Sequence, residues 1–277
     1  FRDKRFRFRA TPANAAILQR AGFDVLTLAN NHLLDYGPIG LQDTRAALNA
    51  AGIASTGAGG TLAQAREPAI IERAGRRIAV LAYSLTLPAE FFATTARAGT
   101  APAYEPLVVA DIRRARQQAD VVIVAFHWGG ELERHPRPIQ RHLARSAIDA
   151  GASVVLGHHP HVLQGVEFHG AGVICYSLGN FTFGSPGRRG GTSMIAQITL
   201  PDQGAPSLAI VPLTVDNRAT GYQPRPLTGP AAIAAIAAID RQSRPLGTQI
   251  ITAETAFRAV PTGATHAASL YRHSSAN

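Results

Sequence analysis

Val121-Val122-Ile123-Val124-Ala125-Phe126 places six apolar residues in a row, followed at once by His127-Trp128-Gly129-Gly130. A strand with one wet face alternates apolar and polar residues. An unbroken, β-branched run of this length reads as a strand covered on both faces. The flanks support that reading. Val108 to Ala119 has helical periodicity, and so does Pro138 to Ala150, which is stopped by Gly151 and followed by a second apolar strand, Ser153 to Leu156. Strands alternating with helices predict a largely buried sheet between helical layers.

The same grammar extends toward the N-terminus. A helix is expected over Thr11 to Ala21, with Thr11 as N-cap and Pro12 in the first helical position. Strand Val25 to Ala29, loop Asn30 to Tyr36, helix Pro38 to Ala51, short strand Ile53 to Thr56 and strand Arg77 to Tyr83 follow. Ser84 to Glu105 has no periodicity and reads as a long loop, of a kind that is often functional. Beyond Gly172 the helices thin out. Val173 to Ser177, Ser193 to Leu200 and Leu208 to Val215 read as antiparallel strands, and Gly229 to Gln242 as a last helix. Residues 1–257 are read as one domain, and 258–277, small and polar, as a disordered tail.

Composition narrows the class. Of 277 residues, 46% are hydrophobic and 16% charged, which is globular rather than disordered. The longest strongly apolar stretch, Ala231 to Ile239, is far too short to span a bilayer. A single cysteine, Cys175, excludes an internal disulfide framework and a Cys-based zinc site. The formal charge is +9, but nearly half of it comes from residues 1–9, where Arg2, Lys4, Arg5, Arg7 and Arg9 stand against Asp3. Outside that stretch no basic cluster with interleaved aromatics exists, so no nucleic-acid partner is expected. The chain begins with Phe1 and its one methionine is Met194, which leads us to expect further sequence upstream, with room for a leader or anchor.

Three polar clusters sit just after the carboxyl ends of expected strands, where α/β folds bind ligands. The first is Asn30-Asn31-His32-Leu33-Leu34-Asp35-Tyr36-Gly37. An Asn oxygen can coordinate a metal and an adjacent His can protonate a leaving group. Turn chemistry, with Asp35 capping the next helix, explains the same residues equally well. The second is His127-Trp128-Gly129, where His127 is placed as a ligand or as a satisfied core residue, and Trp128 as a substrate-stacking or shielding group. The third is Gly157-His158-His159-Pro160-His161. Three imidazoles in four positions would repel if protonated, whereas a metal demands their neutral forms. In an extended segment His159 and His161 would point to one centre. Asn180, in Leu178-Gly179-Asn180, reads either as part of the same pocket or as a turn residue.

Together with Tyr176-Ser177-Leu178-Gly179-Asn180-Phe181, these motifs resemble the signature series of the CapA family. That family serves poly-γ-glutamate capsule synthesis and is related in fold to calcineurin-like metallophosphoesterases. The resemblance covers roughly Phe6 to Ile251, including Ser243-Arg244-Pro245-Leu246-Gly247-Thr248. It implies an α/β fold, a four-layer αββα sandwich of the metallo-dependent phosphatase type, here N-terminally truncated. It also implies roles. Asn31, His127, His159 and His161 match metal ligands, and His32 matches the catalytic acid, with Asn30, Asp35, Trp128, His158 and Asn180 as possible pocket residues. Asp35 falls three residues after His32, whereas the superfamily acid follows the His directly.

The two superfamily motifs that carry Asp ligands have no match here, so the resemblance implies an incomplete site for divalent ions of the Mn, Fe or Zn class. The function it implies is a metal-assisted hydrolase or transferase acting on a cell-envelope polymer, at or outside the membrane. A non-catalytic accessory subunit of a capsule synthesis or export complex is the alternative. So is a generic phosphoesterase acting on small phosphorylated substrates.

Overall fold

The computed structural model describes residues 4, 6–184, 191–202, 204–253 and 256–263. In chain order the elements begin with α1 (Asn14–Arg20), β1 (Val25–Thr27), α2 (Gly37–Ala50), β2 (Ala54–Thr56), β3 (Ala58–Gly59) and α3 (Leu62–Ala65). There follow β4 (Ala69–Arg73), β5 (Arg76–Ser84), β6 (Gly99–Thr100), α4 (Glu105–Arg116), β7 (Val121–His127), α5 (Pro138–Asp149), β8 (Val154–His158), β9 (Val166–His169) and β10 (Gly172–Cys175). The last group is β11 (Thr192–Thr199), β12 (Ser207–Thr214), α6 (Asn217–Thr220), β13 (Arg225–Pro226), α7 (Gly229–Ser243), β14 (Thr248–Ala253) and β15 (Ala256–Pro261).

The six-stranded sheet runs β4-β5-β7-β8-β10-β9, with β5, β7, β8 and β10 parallel and an antiparallel strand at each edge. Its apolar strands are covered on both faces, as the unbroken Val121 to Phe126 run predicts. One face, with Leu81, Val124, Val155 and Ile174 in register, packs on α4 and α5 in the largest core cluster. The other face, with Val154, Val173 and Cys175, meets Met194 of β11, Leu208 and Ile210 of β12, and Ile236 and Ile239 of α7. Those strands belong to an antiparallel sheet ordered β11-β12-β15-β14, with β13 beside β12. Cys175 is fully buried there, and burial lifts its thiol to about 12.

Farther along that inner face, Ala82 and Ala125 pack against Ala29, which follows the parallel pair β1-β2. Small side chains allow a close approach at this point. A Cβ on Gly57, whose φ is +88°, would come within 2.8 Å of both Ala82 and Ala29. Ala15 of α1 and Leu41 and Leu48 of α2 cover the far side of this pair, packing on Leu28 and Ile53. The order α4/α5, sheet, sheets, α1/α2 is the αββα sandwich.

Four expectations need correction. Val173 to Ser177, expected among the antiparallel strands, forms β10, which runs parallel to β8 and is antiparallel only to β9. The first helix opens with i→i+3 bonds, Asn14 N to Thr11 O and Ala15 N to Pro12 O, so regular α-structure begins at Asn14 and Thr11 is not its N-cap. Residues 84–105 are not a bare loop. They hold β6 and a 3-10 turn, Ala89–Phe91, whose Phe91 is buried against the β1-β2 unit. Residues 258–261, read as tail, lie in β15, where Ala259 pairs with both Leu208 and Ile250 and is buried. Residues 264–277 lie outside the described residues.

Candidate metal centre

Parallel strands that end at one level deliver their next residues to one rim. His127 ends β7, His158 ends β8 in register with it, and Asn31 lies four residues past β1. All three line a cleft of about 1370 Å³ together with His32, His159, His161 and Asn180.

The first cluster is a turn, built by its own side chains. Asn30 Oδ1 accepts the His32 backbone N–H at 2.8 Å, which turns the chain immediately after the strand. Asp35 does not cap α2, whose N-cap is Tyr36 without a side-chain bond. Its carboxylate is buried and accepts from His32 Nδ1 at 2.7 Å, Lys4 Nζ at 2.7 Å and the Phe8 backbone N–H at 2.9 Å. Burial alone would raise its pKa. The Lys4, Phe8 and His32 bonds outweigh burial and hold it below the ordinary carboxylate value. Because a carboxylate only accepts, the His32 Nδ1 carries the proton and Nε2 is left for other partners. Lys4 also donates to the Asn31 carbonyl, and the Phe8 ring meets His32 edge-on at 4.4 Å.

The imidazoles follow. His127 Nε2 lies 3.0 Å from Asn31 Oδ1, which joins the first cluster to the second. The ring centres of His127 and His159 are 4.8 Å apart, and those of His159 and His161 5.8 Å. Segment 158–161 is not extended, as the alternation argument assumed. His159 and His161 have φ of +96° and +59°, a region non-glycine residues rarely occupy and one associated with functional sites. The bend starts from Gly157, where a Cβ would stand 1.9 Å from the Tyr176 carbonyl oxygen. Burial, followed by the neighbouring imidazoles, lowers His127 well below its usual value. Burial and His161 lower His159 to about 4, and burial lowers His158. The rings are therefore neutral at neutral pH, the form that binds metal. The His159 Nδ1 is buried without a hydrogen-bond partner, and His161 Nδ1 lies 2.7 Å from Asn180 Oδ1.

Trp128 does not reach this cleft. It is fully buried on the opposite face of the sheet, stacked on Phe126 at 4.5 Å, with its indole N–H donated to the Tyr176 carbonyl. Lys4 and Phe8, which the sequence pattern did not connect with these clusters, complete the His32 surroundings. One signal pointed there: Lys4 is the single lysine in a chain with 26 arginines.

These donors fit one side of a divalent-metal centre: neutral imidazoles, an Asn oxygen, and a buried ring nitrogen that lacks a partner. They do not form a full coordination sphere. Among the described residues, no three His, Cys, Asp or Glu side chains are grouped so as to hold an ion by themselves.

Residues 1–185 match the family model described as bacterial capsule synthesis protein PGA_cap. The chain belongs to this family. The capsule biosynthesis protein CapA of Bacillus anthracis is 35% identical over 230 residues, covering 82% of this chain and 55% of that protein. A Mycobacterium tuberculosis protein named "Probable polyglutamine synthesis accessory protein" is 32% identical over 204 residues, covering 70% and 54%. This PGA_cap chain thus spans about half the length of the curated relatives it matches. Among solved structures, the NAD nucleotidase of Haemophilus influenzae aligns with a TM-score of 0.49 at 13% identity, covering 82% of this chain and 48% of that one.

Proposed function

We propose that this PGA_cap chain carries the His and Asn side of a metal centre that performs a hydrolytic or transfer step on a cell-envelope polymer, poly-γ-glutamate first among the candidates. The observation that carries the reading is the meeting of Asn31, His127 and His159, from three separate strand ends, beside a His32 held by a buried Asp35. Asn31, His127, His159 and His161 would supply ligands to divalent ions of the Mn, Fe or Zn class, with His127 giving up the Nε2 proton that now bonds Asn31 Oδ1. When bound, the ion supplies Lewis-acid activation of water or of the scissile group.

The chain's own residues do the rest. Asp35 accepts a hydrogen bond from His32 Nδ1–H and orients the ring, so Nε2 can take up a proton from water and pass it to a leaving group. Asn30 holds the turn that aims Asn31 and His32. The Phe8 ring packs edge-on against the His32 ring and helps fix its direction.

A second reading, an accessory subunit of a capsule synthesis or export complex, is favoured because, among the described residues, no three acidic, imidazole or thiol side chains are grouped so as to hold an ion. Both readings place the protein at the cell envelope. Among the described residues no helix is long and apolar enough to cross a membrane.

The test uses the full-length protein, with metal content and hydrolysis of γ-glutamyl and phosphoester model substrates measured side by side. Bound metal with γ-glutamyl turnover that is lost in His159→Ala supports the enzyme. Turnover of phosphoesters alone replaces the polymer with small phosphorylated substrates. Normal capsule output from a strain carrying both His32→Ala and His159→Ala would sink the catalytic reading in favour of the accessory role.

A further inference from the structure

We infer that Asn180 is a positioning residue that fixes the tautomer and ring direction of His161, an inference that rests on the metal reading above. Asn180 Oδ1 lies 2.7 Å from His161 Nδ1. An amide oxygen only accepts, so Nδ1 carries the proton and the Nε2 lone pair is free. The reversed amide would make Nδ1 the acceptor, put the proton on Nε2, and leave that nitrogen unable to bind a cation. A ligating imidazole is oriented in this way by whatever its other nitrogen bonds.

The surroundings make the contact rigid. Asn180 follows a loop tied three times to the segment that bears His161. Leu178 N–H bonds the Gly157 carbonyl at 3.1 Å, Ser177 Oγ donates to the Val162 carbonyl at 2.7 Å, and Gln164 N–H bonds the Ser177 carbonyl at 3.3 Å. A fourth tie, Ser193 Oγ to the Leu178 carbonyl at 2.7 Å, fastens the loop to β11. Gly179, with φ of +76°, turns the loop where a Cβ would meet Ser193 at 3.1 Å. The ring of Phe183 packs on His161 with centres 4.8 Å apart, and its carbonyl is held by Asn217 Nδ2 at 2.6 Å. His161 is thus clamped by an amide and a ring, while the neighbouring His159 Nδ1 has no partner.

The experiment uses the full-length protein, with nitrogen-15 spectra of the histidine rings recorded before any metal is added and His161→Gln used for assignment. The expected wild-type signal is a His161 ring protonated on Nδ1. In Asn180→Leu the signal should become a tautomer mixture, while Asn180→Asp, which keeps an acceptor, should restore it. Manganese and zinc affinities, from competition with a chromophoric chelator, should then fall about 10- to 100-fold in Asn180→Leu. The same change should cost nothing further in a His161→Gln background. A wild-type His161 protonated on Nε2 overturns the assignment. So does an affinity loss of equal size with and without His161. A wild-type protein that binds no metal sinks the metal reading instead, and the ring spectra still decide the role of Asn180.

Discussion

Asp35 shows how one residue can be read two ways from sequence and only one way in the fold. At the start of a helix it looked like a cap. In the structure it is 2% exposed and bonds three partners drawn from two segments. Removing it leaves the Lys4 ammonium, the Phe8 N–H and the His32 ring N–H without their shared acceptor. Asp35→Ala should therefore cost about 1.5–3 kcal/mol of stability, the scale for bonds to a charged group, as read from urea melts at pH 7. Its His32 Nδ1 proton should also exchange faster. An unchanged melt together with an unchanged exchange rate would mean that this contact carries no weight. Lys4→Met should do less harm, because Asp35 keeps two of its three donors. The Asp35 partnership was hidden in the sequence because Lys4 and Phe8 lie 31 and 27 positions away. Local pattern carries no information about such a contact.

At the scale of elements, strand ends decide what faces the cleft. His127 and Trp128 are neighbours, yet successive residues of an extended chain point to opposite faces. His127 enters the cleft, and Trp128 joins the core beneath α4 and α5. Trp128→Ala should cost about 3–5 kcal/mol, as for other buried aromatic truncations, without removing a substrate contact. Buried as it is, the single indole should also report unfolding as a red shift in emission. Where β8 passes β10, close approach sets the limit: Gly157 lies against the Tyr176 carbonyl and the Trp128 indole nitrogen. Gly157→Ala forces backbone apart from backbone, so it should destabilise by at least about 3 kcal/mol, the upper end for overpacking. A Gly157→Ala protein that melts with the wild type would contradict this packing. Sequence made β5, β7 and β8 legible because each is an apolar run. It missed β9, only four residues long, and the β14-β15 hairpin, whose Thr, Gln and Arg residues break the apolar signal.

Across the whole molecule, the same separation holds between what a pattern can carry and what only assembly supplies. The layers follow from apolar periodicity, and Asn31, His127 and His159 were legible because each stands at the end of a strand. The tilt of the rings, the bend at His159 and His161, and the Lys4 contact depend on the packing of distant segments. One consequence belongs to the molecule as a unit. His127, His158 and His159 all titrate below their usual value in the fold, His159 at about 4. The unfolded chain takes up protons on these rings near pH 6.5, whereas the folded chain resists them. Lowered folded values mean that the stability is fully present above pH 6.5 and is lost as pH falls toward 4. Asp35, also lowered, acts in a different window: its contribution is present above about pH 3.9 and drains away only below that. Loss of stability between pH 6.5 and 4 is therefore the signature of the histidines. Urea melts at half-unit steps should show a progressive decline across that window, shallower in His159→Gln. Metal bound at His127 and His159 should be released only at the low end of that range, near the folded value of about 4 for His159, since protons compete for the same nitrogens. A stability profile flat down to pH 4 would mean that the imidazoles are solvated in solution, and the metal reading would lose its electrostatic basis.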